Sequence, residues 1–376
     1  MQDFPKKLTQ KLKHRTENNS LRNLTTIKNK VDFSSNDYLG FSLNNAIVSK
    51  ASSLIENETH KNGSTGSRLV SGSHHLHEVV EKQLAAFHNS SAALLFNSGY
   101  DANLGFFSCI PQKGDTILFD ELIHASIRDG IRLSNAKSYK FKHNSTEDLE
   151  KKIAKSEGDV YVIVESIYSM DGDSAPLEKI AKLCELNNCY FVIDEAHSNG
   201  VFGESGAGLV QELQLENKVF ARIHTFGKAL GCHGAVILGS DNLRSYLINF
   251  SRSFIYTTAA SLHSVATIKA AYDELTTTDS IQKLKKNINY FTSKISELNL
   301  VGNFIDSNSA IHCCIISGND AIKKLANKLQ IEGFDIKPIL SPTVPKGEER
   351  LRICLHSYNT FKEIDNLLLA LAKHTI

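Results

Sequence analysis

The chain lacks the charge imbalance and the long apolar runs that mark several classes of protein. Its 376 residues carry 42 Lys and Arg against 41 Asp and Glu, a formal net charge of +1. A surface that neutralises nucleic-acid phosphates needs a basic excess, so we expect no nucleic-acid partner. No apolar run approaches the roughly 20 residues that cross a bilayer. We therefore expect no membrane partner either.

Cysteine patterns that indicate disulfides or metal sites are also absent. The seven cysteines are scattered and include no Cys-x-x-Cys pair, which argues against a disulfide framework and a zinc ribbon. We predict that His74, His75 and His77 form a solvated helix start and bind no metal. The first residues lack the apolar stretch of a signal peptide. These observations predict a reduced, cytoplasmic enzyme.

What the sequence does contain is a repeated alternation of strand and helix patterns. The strands are near-continuous apolar runs, which favour a mainly parallel sheet covered on both faces. They are predicted at residues 92–96, 116–120, 160–165, 190–193, 220–224 and 235–238. Beyond about residue 275 the pattern resembles a smaller α+β domain. We predict an α/β protein with an N-terminal segment at 1–45, a large domain at 46–275 and a small domain at 276–376.

Two neighbouring predicted strands end in polar residues. Asp194 and His197 follow one strand, and Thr225 and Lys228 follow the next. Open α/β sheets bind ligands at the carboxyl ends of their strands. An Asp there can form a charge-assisted hydrogen bond to a protonated pyridine nitrogen, and a Lys can form a Schiff base with an aldehyde. This pairing indicates a cofactor site with a reactive amine.

Other residues supply the remaining parts of a site for pyridoxal phosphate. Gly99 and Tyr100 open a predicted helix, whose first N–H groups can bind a phosphate. The ring of His124, which follows a predicted strand, is suited to stacking on an aromatic cofactor. A nucleotide phosphate loop is excluded, because Lys228 is followed by Ala229 and not by Ser or Thr. The residues thus predict a pyridoxal-phosphate enzyme.

Motifs along nearly the whole chain resemble those of the α-oxoamine synthases. These are pyridoxal-phosphate enzymes of the aspartate-aminotransferase fold (fold type I). The matching motifs are SSNDYLG at 34–40, SMDGDSAPL at 169–177, DEAHSNGVFGESGAG at 194–208, TFGKALG at 225–231, IYTTA at 255–259 and SPTVPKGEERLRICL at 341–355. The resemblance implies a large sheet domain, a smaller C-terminal domain and a homodimer with its active site at the subunit interface.

The resemblance also assigns roles around the cofactor ring. Lys228 would bind the cofactor covalently and later act as the general base at the amino-acid Cα. Asp194 would pair with the ring nitrogen, His197 would hydrogen-bond the ring hydroxyl, and His124 would stack on the ring. Glu165 would line the site.

Further roles concern the phosphate and the substrates. The resemblance places the phosphate at Gly99, Tyr100 and Thr225, joined by a hydroxyl of Thr257 or Thr258 from a partner subunit, with Ser169 near the cofactor. Arg352 would hold the amino-acid carboxylate through its bidentate fork. Arg22 and Thr343 match positions that contact substrate.

The choice of substrates rests on the same resemblance. The loop from Pro342 to Pro345, which contains Thr343, favours L-alanine with a pimeloyl thioester, on coenzyme A or a carrier protein, as in biotin biosynthesis. Glycine with acetyl-CoA and serine with a long acyl-CoA are the alternatives within the family. Cys232 and His233 replace the small residues usual after the lysine, with either a pocket or a packing role. A pyridoxal-phosphate-binding protein without catalysis is the alternative from another class.

Overall fold

A computed structural model describes residues 4–24, 29–56 and 62–375 of the chain. Contacts divide the chain into two units, each of several segments. The small unit comprises Met1–Ser35, Met170–Asp173 and Lys283–Ile376, and the large unit comprises Asn36–Ser169 and Ser174–Gln282. The domain boundaries predicted from the sequence stay a prediction.

Strands and helices alternate through most of the described chain. The strands are β1 (Val31–Asp32), β2 (Ala92–Phe96), β3 (Thr116–Asp120), β4 (Lys137–Phe141), β5 (Val160–Glu165), β6 (Tyr190–Asp194), β7 (Ala221–Thr225), β8 (Ala235–Gly239), β9 (Ile311–Ile315), β10 (Phe334–Asp335), β11 (Lys337–Ile339) and β12 (Arg350–Cys354). The helices are α1 (Lys6–Glu17), α2 (Asn45–Glu56), α3 (His75–Phe87), α4 (Gly99–Cys109), α5 (Ala125–Leu133), α6 (Thr146–Ile153), α7 (Leu177–Leu186), α8 (Leu209–Glu212), α9 (Asp241–Phe250), α10 (Arg252–Ile255), α11 (Leu262–Leu275), α12 (Ser280–Glu297), α13 (Asn319–Ile331) and α14 (Phe361–Thr375). None of these helices is both long and apolar enough to cross a bilayer.

The large unit contains a seven-stranded sheet in the order β2-β8-β7-β6-β5-β3-β4. Strands β4, β3, β5, β6 and β7 run parallel to one another, whereas β8 is antiparallel to both β7 and β2. Buried Phe106, Ile127, Ile163 and Ile223 belong to its apolar core. The mainly parallel sheet predicted from the apolar runs is confirmed.

One strand of this sheet carries no apolar run in the sequence. Strand β4 has the sequence KSYKF, and only its last residue, Phe141, is buried. It lies at the edge of the sheet, where lysines such as Lys137 and Lys140 discourage pairing with another chain. The sequence analysis identified strands from their apolar runs. An exposed edge strand has no such run, so β4 was missed.

The start of α3 differs in part from its prediction. His74 is the N-cap residue, and its ring accepts a hydrogen bond from the backbone N–H of Leu76 at 3.2 Å. His77 is only 1% exposed, and its burial lowers its pKa to about 4. The prediction that all three histidines are solvated is therefore wrong for His77.

The small unit contains two further sheets. Strands β11, β12 and β9 form an antiparallel sheet, and β1 pairs in parallel with β10. Helices α13 and α14 bury Ile322, Leu325, Leu367 and Leu368. This strand and helix content is the α+β composition predicted for the C-terminal part of the chain.

Gly231 gives a test of how closely the loop after β7 packs. Its φ is +59°, and an added Cβ would lie 2.2 Å from the backbone nitrogen of Ser42. Gly231→Ala should therefore lower the free energy of unfolding by several kcal/mol, which urea denaturation measures. Gly114→Ala is the control, because Gly114 also has positive φ but open space around it. Equal losses in the two variants would show that this packing is unimportant.

Candidate active site

The carboxyl ends of β5, β6 and β7 meet at one edge of the large unit's sheet. The register pairs Glu165 with Asp194 and Asp194 with Ile223, so the side chains at these ends are neighbours. A cavity of about 150 Å³ opens at this edge. Seven residues predicted from the sequence line it: Gly99, Tyr100, His124, Glu165, Asp194, Thr225 and Lys228.

Asp194 is held by two hydrogen bonds. Its Oδ2 accepts from Asn103 Nδ2 at 2.9 Å, and its Oδ1 accepts from the backbone N–H of Ala196 at 2.9 Å. Asn103 Nδ2 also donates to Ser126 Oγ at 3.0 Å, and Ser126 Oγ lies 2.7 Å from His124 Nδ1. The carboxylate and the His124 ring are thus joined through Asn103 and Ser126.

Asn103 and Ser126 are site residues that the sequence analysis missed. Both line the cavity and both are almost fully buried. Asn103 lies four residues after Gly99 on α4, so the two share a helix face. A polar residue at helical spacing from Gly99 was the available signal. For Ser126 the signal was weaker, its position two residues after His124.

A chain of polar contacts supports Lys228. Its Nζ lies 2.7 Å from His197 Nε2, and His197 Nδ1 lies 2.7 Å from the hydroxyl of Tyr38. When the Tyr38 hydroxyl donates to Asn36 Oδ1, 3.1 Å away, its oxygen accepts from a protonated His197 Nδ1. His197 Nε2 then presents a lone pair to the Lys228 amine. Tyr38 belongs to the SSNDYLG motif, but no role was predicted for it.

The predicted phosphate site lies at the start of α4. Ser98 caps this helix, accepting a hydrogen bond from the backbone N–H of Asp101 at 3.1 Å. The N–H groups of a first helical turn have no partner within the helix and favour an anion. A Cβ added to Gly99 would lie 3.2 Å from Thr225 Cβ. Glycine therefore keeps the backbone close to Thr225, with the N–H groups accessible.

Thr257 and Thr258 lie outside the set of residues that lines this cavity. Asn97 Nδ2 donates to Thr257 Oγ1 at 3.1 Å and to the carbonyl oxygen of Thr258 at 2.8 Å. Their prediction as phosphate ligands concerns a partner subunit and stays a prediction.

Glu165 is the most strongly perturbed acid in the cavity. It is 3% exposed, and its Oε1 has no hydrogen-bond partner. Burial first, and then the Asp194 carboxylate, raise the pKa of Glu165 to about 8, while Lys228 and the backbone N–H groups of His124 and Ser169 oppose the rise. Ser169 itself is 9% exposed. The backbone contact places Ser169 beside Glu165, next to the cavity.

The predicted substrate residues belong to the small unit. Arg22 Nη2 donates to Thr343 Oγ1 at 3.2 Å, so two residues 321 positions apart in sequence are in contact. Arg352 is 8% exposed on β12, and its Nη1 lies 2.9 Å from Cys354 Sγ. Their roles toward substrate stay predictions.

The cavity has room for an aromatic ring, and its residues have the chemistry to hold pyridoxal phosphate. A space of about 150 Å³ accepts a benzene-sized ring in a protein interior. Asp194 is placed to pair with a ring nitrogen, Lys228 supplies an amine, and the unpartnered Glu165 Oε1 is a polar atom that a ligand can satisfy. The helix start at Gly99 provides the anion site. The residues can therefore hold a cationic ring that carries a phosphate.

Comparisons with known proteins identify the family. The model of the family "Aminotransferase class I and II" matches residues 28–371. The chain belongs to this family. An 8-amino-7-oxononanoate synthase of Emericella nidulans is 42% identical over 99% of this chain and 97% of its own length. This relative confirms the predicted resemblance to the α-oxoamine synthases.

Solved structures confirm the fold. A serine palmitoyltransferase of Sphingomonas wittichii superimposes with a TM-score of 0.91 at 26% identity, covering 99% of this chain and 98% of that one. An 8-amino-7-oxononanoate synthase of Francisella tularensis gives a TM-score of 0.77 at 29% identity, covering 92% of this chain and 98% of that one. The predicted aspartate-aminotransferase-like fold is thus confirmed.

The contact between Tyr38 and His197 predicts a specific effect on Lys228. Tyr38→Phe removes the hydroxyl that fixes the His197 ring, so Lys228 should react with added pyridoxal phosphate roughly tenfold more slowly, equivalent to about 1.4 kcal/mol. Visible absorbance measures this rate. Tyr272→Phe is the matched control, because Tyr272 is also fully buried and bonds a histidine, His88, at 2.9 Å. Equal slowing in both variants would contradict a specific role for Tyr38.

The raised pKa of Glu165 predicts a pH dependence of stability. Its protonated form is favoured in the folded protein, so its contribution to stability is fully present below pH 4.5 and is lost as the pH rises through about 8. Glu165→Gln should therefore stabilise the cofactor-free protein by at least about 1 kcal/mol at pH 8 relative to pH 5, as measured by urea denaturation. The exposed Glu150→Gln is the control. A pH-independent effect of Glu165→Gln would refute the raised pKa.

Proposed function

We propose that this chain is an 8-amino-7-oxononanoate synthase with pyridoxal phosphate as its cofactor. It joins L-alanine to the pimeloyl group of a thioester and releases 8-amino-7-oxononanoate, carbon dioxide and a free thiol, a step of biotin biosynthesis. The observation that carries this proposal is the cavity that gathers Lys228, Asp194 and His124, in a chain 42% identical to a synthase of that name over nearly its full length.

The cavity residues divide the chemical work. When bound, pyridoxal phosphate supplies an aldehyde for covalent attachment and an electron-withdrawing ring. Lys228 provides the amine for attachment and then moves the proton at the Cα of the amino acid. Its neighbour His197, 2.7 Å away, can accept a proton from the amine when the amine must be neutral. Asp194 stabilises a positive charge on the ring nitrogen, since its carboxylate is oriented by Asn103 and the Ala196 N–H.

The small unit supplies the proposed substrate contacts. Arg352 is proposed to hold the carboxylate of L-alanine, because a guanidinium matches a carboxylate in a bidentate manner. Arg22 and Thr343, which contact one another, are proposed to contact the acyl substrate. The same residues would set the preference among acyl thioesters.

A serine palmitoyltransferase-like activity is the second candidate. The observation in its favour is the TM-score of 0.91 with the Sphingomonas wittichii enzyme, higher than the 0.77 of the Francisella tularensis synthase. Backbone similarity reflects a fold that several activities share. Identity of 42% over nearly the whole chain is the stronger argument for the synthase.

We also propose a cytoplasmic homodimer with its active site at the subunit interface. Two observations support it. The exposed Thr258 and the partly exposed Thr257 do not line this chain's own cavity, so a phosphate contact from either residue requires a second subunit. The odd number of unpaired cysteines fits a reducing compartment.

The proposal is tested by measuring thiol release. The pure protein with pyridoxal phosphate is incubated with L-alanine, glycine or L-serine, each combined with pimeloyl-CoA, acetyl-CoA or palmitoyl-CoA. L-alanine with pimeloyl-CoA should react at least tenfold faster than any other pair, since a pocket distinguishes a methyl from a hydrogen by about 1–3 kcal/mol. Lys228→Ala should abolish turnover, because both the covalent link and the base are lost.

Other outcomes separate the alternatives. A preference for serine with palmitoyl-CoA would replace the proposed activity with the second candidate. Normal turnover by Lys228→Ala would overturn the role of that lysine. A protein that binds the cofactor but shows no spectral change with any amino acid would be the non-catalytic binding protein.

A further inference from the structure

Helix α1 is a part of the small unit that its own chain leaves uncovered. None of its residues is buried, and Phe4, Leu8 and Leu12 are 59%, 44% and 51% exposed. Leu8 and Leu12 are spaced four apart on α1, so they lie in one row along the helix, and Phe4 lies just before its first turn. An apolar row left exposed in this way is typical of a surface that binds a partner.

A basic row lies directly beside this apolar row. Lys7, Lys11 and Arg15 are also spaced four apart. Lys7 and Lys11 each precede a leucine, and Arg15 lies three residues after Leu12, so the basic row runs beside the apolar one. Helix α1 holds five Lys and Arg residues and one acid, Glu17. The whole chain has a formal net charge of only +1, so the residues outside α1 are net acidic. Helix α1 thus has a net positive charge on a chain whose remainder is net negative.

The end of α1 is fixed to the small unit although its side chains are exposed. Asn19 Nδ2 donates to Asp320 Oδ1 at 2.7 Å, and Asn319 Nδ2 donates to the carbonyl oxygen of Asn18 at 3.2 Å. Lys323 Nζ donates to Asn19 Oδ1 at 2.6 Å. These contacts anchor α1 at the N-terminal end of α13. The apolar and basic rows are therefore presented on an anchored helix.

The anchored end of α1 borders a cavity of about 1060 Å³ in the same unit. Its lining includes Arg15 of the helix and Ser341 and Pro342 of the loop before β12. Thr343, the next residue, contacts Arg22, and this pair is the proposed acyl-substrate contact. The end of the helix thus borders a space whose lining includes Pro342, the residue before Thr343.

We propose that the apolar and basic rows of α1 form a docking surface for an acidic carrier protein that presents the acyl thioester. This inference rests on the proposed function and specifies how its acyl donor is delivered. A partner helix with acidic residues beside apolar ones would match both rows, burying the leucines and pairing with the lysines. A carrier bound there would place its tethered acyl group beside the cavity. A membrane surface is a poorer match, because three apolar residues bury little area.

The test compares two donors of the same acyl group. Lys7→Glu/Lys11→Glu reverses the basic row, and kcat/KM is measured with L-alanine and either pimeloyl-CoA or pimeloyl-acyl carrier protein. The variant should lose roughly tenfold or more with the carrier-bound donor at low salt, less at high salt, and nothing with pimeloyl-CoA. Lys6→Glu/Lys13→Glu is the matched control, since it makes the same charge change on the other side of the helix and should behave like the wild type.

Each contrary result has a defined meaning. Equal losses in the two double variants, or equal losses with both donors, would overturn the docking surface. So would a wild type that uses pimeloyl-CoA and ignores the carrier-bound donor, while the proposed function would stand. Binding of α1 to anionic phosphatidylserine vesicles, or a variant that loses self-association, would assign the surface to a membrane or to a second copy.

If the wild type uses neither pimeloyl donor, the proposed function fails and the surface is tested by binding alone. Acyl carrier protein is titrated against the wild type and against Lys7→Glu/Lys11→Glu. A Kd at least tenfold weaker for the variant would support docking, and equal values would overturn it.

Discussion

The arrangement of parallel strands places two carboxylates and an amine at one buried edge, and the site depends on how their charges are compensated. Glu165 and Asp194 are register partners on β5 and β6, and adjacent strands lie only about 4.8 Å apart. Two ionised carboxylates at that distance in a buried site repel each other. The structure resolves the conflict unequally: Asp194 receives the Asn103 amide and the Ala196 N–H, whereas Glu165 keeps an unpartnered oxygen and a raised pKa.

Buried polar groups also lie on the face of the sheet that points away from the cavity. Because successive side chains point to opposite faces, Asp194 and Thr225 face the cavity, while their neighbours Glu195 and His224 point away from it. Glu195 and His224 are both fully buried, and their Oε2 and Nε2 atoms lie 3.4 Å apart. Burial raises the pKa of Glu195 and the charge of Arg222 opposes that rise. Glu195 Oε1 accepts hydrogen bonds from Ser198 Oγ at 2.7 Å and from the Val210 N–H at 3.1 Å, so the end of β6 is held by buried polar contacts on both faces of the sheet.

The sequence predicts site residues that follow the strands of the sheet. It misses residues whose contacts with the site depend on tertiary packing. Asp194 and Lys228 follow apolar runs, so the carboxyl-edge rule is enough to bring them together. Asn103, Ser126 and Tyr38 contact Asp194, His124 and His197. No local sequence pattern indicates these tertiary contacts. Strand β4 was missed for a related reason, since its exposed lysines replace the apolar run that marks a central strand.

Protonation in the cavity depends on buried charge interactions. Partner choice at α1 would depend on exposed, screened charges. At the sheet edge, burial strengthens charge interactions. A single hydrogen bond, such as that of Tyr38 to His197, can therefore affect the protonation of His197 and Lys228. Helix α1 has no buried residue, and salt screens its exposed lysines. Charges of that kind contribute more to association rate and partner choice than to stability. Under the proposed function, selection among thioesters could therefore change at α1 and near Arg22 without disturbing the balance of charges around Lys228.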